Sequence, residues 1–106
     1  MSPKKMMFAA VLTAFFLTGS QAWAHTPLCS CYDNGDGSVT CEGGFSDGSS
    51  AKGVKIRVEQ AGKVVLDGQM SDSSEFTFKK PEGQYTVVFD GGEGHRIEIN
   101  STNIFE

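Results

Sequence analysis

The sequence predicts an all-β protein, a single antiparallel β-sandwich, and three observations carry that prediction. Val54, Ile56 and Val58 alternate with Lys55, Arg57 and Glu59, and Phe76 and Phe78 alternate with Thr77 and Lys79; this period of two is the mark of half-buried strands. Clusters of Gly, Pro, Asp and Asn punctuate the chain at roughly ten-residue intervals, the spacing of short sandwich strands. After residue 24, no stretch keeps a helical period over a useful length.

Residues 1–24 have the layout of a cleaved signal peptide. Lys4 and Lys5 open it, Met6 to Leu17 is an apolar run too short to span a bilayer comfortably, and Ala22-Trp23-Ala24 is an A-x-A cleavage site. Cleavage would make His25 the first residue of an exported, periplasmic product with no direct membrane insertion. Bulky Leu28 stands where a lipobox at Cys29 would need a small residue. Losing Lys4 and Lys5 takes the formal charge from −4 to −6, which argues against nucleic acid and anionic membrane as partners. The remaining chain is long enough for one domain with a modest core, which a disulfide or a metal would help to hold together. Residues 25–37 read as a His/Cys-containing N-terminal arm and 38–106 as the sandwich.

In order, the arm contains His25-Thr26-Pro27-Leu28-Cys29-Ser30-Cys31 and ends in the dense turn Asp33-Asn34-Gly35-Asp36-Gly37. That turn is no calcium loop, because Gly35 and Gly37 fall where oxygen ligands would be needed. Ser38 to Phe45 forms a strand containing Cys41. Reflection about Asp36 sets Cys31 opposite Cys41; a Cys29–Cys41 bridge is also open, and a strained Cys29–Cys31 link is the least favoured. Any single bridge leaves one thiol, pointing to metal ligation, a mixed disulfide or dimerisation. The polar loop Ser46–Ser50 leads to the strand containing Val54, Ile56 and Val58. Ala61-Gly62 turns it into a short strand from Lys63 to Leu66, and a polar link from Asp67 to Ser74 follows. The Phe76/Phe78 strand comes next, then the turn Pro81-Glu82-Gly83. Tyr85, Val87 and Phe89 share one face of a strand that Val88, on the other face, marks as central. After the break at Asp90–Gly94, His95 to Asn100 closes the sandwich with Ile97 and Ile99 inward. The expected core is Val54, Ile56, Val58, Val64, Leu66, Phe76, Phe78, Tyr85, Val87, Phe89, Ile97 and Ile99.

Two stretches resemble known families. GVKIRVEQAGKVVLDGQ followed by SSEFTFKKPEGQYTVVF is similar in cadence to Cna-B-type or carboxypeptidase-regulatory-like sandwiches, which implies a prealbumin-like or Cna-B-like fold. Phe89-Asp90-Gly91-Gly92-Glu93-Gly94-His95-Arg96 resembles the D-x-G-x-G-H-R ending of small exported proteins associated with nickel and cobalt transporters of the energy-coupling-factor type. Such proteins tend to begin their mature form with His. The likeness covers about half of the mature chain and implies delivery or sensing of nickel or cobalt beside a membrane metal transporter, without catalysis by this chain.

The residues themselves supply a chelating set. A mature His25 would offer its α-amine and imidazole, whose reference pKa values near 7.7–8.0 and 6.5 let both release a proton to a metal near neutrality. Pro27 has no N–H to ionise, so a backbone amidate at the third mature position is excluded. His95 would add a third nitrogen, a set suited to copper or nickel, while Cys29, Cys31 and Cys41 would move the preference towards zinc, cuprous ion or nickel. The candidate metal residues are therefore His25, His95, Cys29, Cys31 and Cys41, for nickel or cobalt and alternatively copper. Asp33, Asp36 and Glu42 read as solvated turn acids. With two histidines and no nucleophile–base spacing, the chain lacks the machinery expected of an enzyme. Two other readings remain open: a structural or adhesive sandwich with a disulfide-linked arm, and a copper-binding protein with an N-terminal His brace.

Overall fold

In a computed structural model, residues 26–106 are described; the expected signal peptide over residues 1–24 and His25 lie outside them. Among the described residues the alternating segments form β1 (Pro27–Asp33), β2 (Ser38–Phe45), β3 (Lys55–Gln60), β4 (Lys63–Gln69), β5 (Glu75–Lys79), β6 (Thr86–Asp90) and β7 (Arg96–Asn100). Every strand pairing is antiparallel. A three-stranded sheet in the order β1-β2-β5 faces a four-stranded sheet in the order β4-β3-β6-β7. The all-β sandwich is thus the architecture, and Pro27–Asp33, expected to lead into it, is itself one of its strands.

Period-2 burial builds the core. Ile56 and Val58 from β3, Val87 and Phe89 from β6, Val39 and Cys41 from β2 and Phe78 from β5 meet between the sheets. Phe78 sets its ring edge-on to Tyr85 with centroids 6.0 Å apart. Val88 is as fully buried as its neighbours although it faces the other way. Its cross-strand neighbours are Arg57 and Glu98, long side chains whose apolar stems cover carbon while their heads stay wet. Arg57 is held on that face by Glu59 at 2.7 Å and Asp90 at 3.0 Å.

One core expectation fails. Val64 is 54% exposed, because the β3–β4 register shifts between Val58 and Glu59 and leaves Val65 as an extra residue. A bulge of this kind breaks strict alternation, so Leu66 faces inward opposite Val58 while Val64 sits opposite Glu59. Val54, Leu66, Phe76, Ile97 and Ile99 pack against the core as partly buried residues. Ala51, Met70 and Ile104 belong to the core but sit outside the alternating runs. Ile104 follows the short 3₁₀ turn Ser101–Asn103, and the next residue closes back on β1, where Phe105 O accepts the Asp33 N–H at 2.8 Å. Two glycines make room for rings: a Cβ on Gly43 would lie 2.7 Å from a Phe89 ring carbon, and one on Gly68 would lie 2.5 Å from Phe76.

Candidate metal centre

The cysteines come first, since β1 and β2 settle their chemistry. Cys31 stands opposite Cys41 in the register, their Cα atoms are 4.0 Å apart, and the two are joined in a disulfide. Cα atoms in a non-hydrogen-bonded antiparallel pair approach closely, so the hairpin presents these sulfurs to each other. Closing a loop of this length stabilises by about 3 kcal/mol on the chain-entropy model. Cys29 lies two residues earlier on the same inward face, opposite Gly43, as a free, half-buried thiol. Burial pushes its pKa up to about 11, so near neutrality it stays protonated and is neither a good nucleophile nor a ready thiolate ligand. Bridged Cys31 and Cys41 offer no thiolate at all. The structure therefore packs the three cysteines against or within the core and commits two of them to the bridge.

His95 sits at the far end of a glycine-rich turn between β6 and β7. Gly91 N–H donates to His95 O and His95 N–H to Gly92 O, both at 2.9 Å, and Asp90 Oδ1 accepts the Gly92 N–H at 3.1 Å. The Gly92 N–H bond, and then the Arg57 guanidinium, hold the Asp90 carboxyl below the usual carboxylate range. A Cβ on Gly91 would lie 3.0 Å from His95 O, so glycine is what lets the turn close this tightly. The His95 ring nitrogen Nδ1 is 3.1 Å from Glu93 O. A carbonyl oxygen only accepts, so the contact is a hydrogen bond when Nδ1 carries the proton, the tautomer that leaves the Nε2 lone pair available to a ligand. A backbone carbonyl in this position is the usual outer support of a metal-ligating histidine.

Phe45, Ser49, Gly91 and His95 line a shallow depression of about 240 Å³. One wall is the loop after β2, shaped by Asp47 Oδ1, which accepts the Ser49 N–H at 3.0 Å and its hydroxyl at 2.6 Å. The Phe45 ring leans on Phe89 with centroids 6.2 Å apart. The same loop grips the start of the described chain: Ser46 N–H donates to Thr26 O at 2.8 Å and Thr26 N–H to Ser46 Oγ at 3.0 Å. Thr26 is therefore fixed to the loop that walls the His95 depression. His25 itself lies outside the described residues. Among the described residues, no group of three or more His, Cys, Asp or Glu side chains is gathered as a metal cage, so a site here would need the donors of position 25.

No family model, curated protein or solved structure matches the chain. The chemistry of the site therefore stands on its own residues. The sequence singles out His95 as a candidate but not Phe45 and Ser49, which line its depression, or Ser46, which holds Thr26. Serines in a polar loop carry no local signal that one of them holds a strand start twenty residues away.

Proposed function

We propose that this chain is a periplasmic metal-binding accessory protein that delivers nickel or cobalt to a membrane metal transporter, or senses it there, and performs no catalysis. The ion is cargo. His25, as the first residue after leader cleavage, supplies its amine and imidazole, and His95 supplies Nε2. The observation that carries this reading is the Thr26–Ser46 pair of hydrogen bonds, which fixes Thr26, the residue that follows position 25 in the sequence, to the loop that walls the His95 depression. The Glu93 carbonyl at His95 Nδ1 and the likeness of Asp90–Arg96 to the ending seen in transporter-associated proteins support the same reading. With the thiols engaged or protonated, the donors are all nitrogen. That favours copper as the competing cargo, since copper leads the Irving–Williams order.

The test has two stages. Intact-mass analysis of the exported product is expected to show a chain beginning at His25. Calorimetric titration with Ni²⁺ is then run on that product, on a form with one extra Gly before His25, and on His95→Ala. Each change removes a ligand and is expected to weaken binding by more than the roughly 10- to 100-fold typical of losing an outer-shell partner. Unchanged affinity in the extended form would remove the terminal chelator and leave the structural or adhesive reading.

A further inference from the structure

The two sheets treat the charges on their outer faces differently. On the four-stranded sheet, Glu59 and Asp90 are paired with Arg57 and Glu98 with Arg96, at 2.7, 3.0 and 3.8 Å. On the three-stranded sheet, Glu42 and Glu75 stand directly opposite each other in the β2–β5 register; among the described residues neither has a cationic partner, and each accepts one long hydroxyl hydrogen bond, Glu42 from Tyr32 and Glu75 from Ser73, both at 3.3 Å. The neighbouring Gly43 N–H donates to Ser74 O at 2.9 Å. By ladder alternation, Glu42 and Glu75 then form the non-hydrogen-bonded pair, whose Cα atoms approach to about 4.5 Å with side chains closest. One step along β2 in the same column, Thr40 and Thr77 use this geometry for a hydroxyl–hydroxyl hydrogen bond of 2.9 Å. Like charges directly opposite each other destabilise a sheet. The lysine farther along β5 on this face, Lys79, is four residues from Glu75, about 13 Å of strand.

Exposed carbon flanks the carboxylates. Leu28 is 52% and Tyr32 38% exposed, and both alternate outward along β1 on this face. Leu28 lies opposite Gly44, and beside them opens a groove of about 580 Å³ bounded by Leu28, Ser30, Glu42, Gly44 and Ser49. A Cβ on Gly44 would meet only Ser49 O, at 3.7 Å, so its outward side is open floor.

We infer that this face is a docking surface for a basic segment of a partner protein. A Lys or Arg head is seated between Glu42 and Glu75, with its apolar stem running over Gly44 against Leu28. The charge pattern selects a cation, and the open floor beside exposed carbon selects one carried on a long apolar stem. This surface borders the His95 depression at Phe45 and Ser49, but its two carboxylates lie outside that depression and need no metal.

The probes are hexalysine and a peptide of alternating Lys and Leu, with hexaglutamate as control, titrated into the isotopically labelled protein and followed by amide shifts. Shifts are expected to gather at Leu28, Ser30, Glu42, Gly44 and Glu75, with none from hexaglutamate. Glu42→Gln with Glu75→Gln should weaken binding about fivefold, as expected of two part-exposed ion pairs. Removing the same charge elsewhere, by Asp72→Asn with Glu93→Gln, should weaken it less. Leu28→Ser should weaken the Lys/Leu peptide more than hexalysine. The Glu42/Glu75 double variant should also melt at a higher temperature than the parent, so loss of fold cannot mimic loss of binding. Equal effects from the two double variants, or shifts spread over every acidic patch, would reduce the surface to general acidity and overturn the inference. Displacement of both peptides by Ca²⁺ at Glu42 and Glu75 would also overturn it, by making the pair an ion site.

Discussion

At the scale of single residues, burial and hydrogen bonding decide which groups are available for chemistry. Cys29 should resist iodoacetamide in the folded protein near pH 7 and react increasingly as pH rises towards its raised value of about 11; ready labelling at pH 7 would contradict the half-buried thiol. The sign for stability follows from the same shift. The unfolded thiol ionises first, so the contribution of neutral Cys29 is complete below its ordinary pKa of 9.0 and is lost as pH climbs from there towards 11. Asp33 behaves in the opposite sense. The Lys80 ammonium at 2.7 Å, and then the Gly35 N–H, hold its carboxyl below the usual range. Its contribution is present above the unfolded value of about 3.9 and disappears as pH falls through the depressed one. Thermal melts of Asp33→Asn across the acid range should show a flatter decline than the parent. His95 was visible in the sequence because a histidine among glycines stands out. Its tautomer was not, since that depends on where the Glu93 carbonyl points.

Elements were legible wherever alternation ran unbroken. β3, β5 and β6 could be read from their side chains, and counting outward from Asp36 set Cys31 opposite Cys41, because a tight turn and a period of two fix register together; which cysteine bridges Cys41 stayed open between Cys29 and Cys31. β4 was misread at Val64 for the complementary reason: a bulge changes the count by one, and no residue in Lys63-Val64-Val65-Leu66 announces it. The bulge has a use, since it disrupts the free edge of β4, where two half-exposed valines would otherwise invite another strand. The close approaches at Gly43 and Gly68 make a sharp prediction. Alanine at either would force a methyl into a Phe89 or Phe76 ring, and urea unfolding should show a loss of about 1–3 kcal/mol, the usual cost of overpacking. Reducing the Cys31–Cys41 bridge should cost about 3 kcal/mol in the same assay, with β1 the first strand to lose amide protection.

Across the whole molecule, the parts hidden from sequence reading are those that close the sandwich over long separations. Ala51, Met70 and Ile104 enter the core from loops and the C-terminal segment, where no period marks them. Ile104→Ala should cost about 2–5 kcal/mol in denaturant unfolding, as for other core truncations, although nothing in the short run Ile104-Phe105-Glu106 suggests a core position. The bond from Asp33 N–H to Phe105 O joins residues 72 positions apart. On a ribosome, or while threading through a narrow pore, β1 is among the earliest parts of the domain to appear, yet this clasp is missing until residue 105 has emerged. Ile104, which seals the core beside it, arrives just as late. A chain that has emerged only as far as Asn103 therefore lacks both the clasp on β1 and the Ile104 side chain in the core.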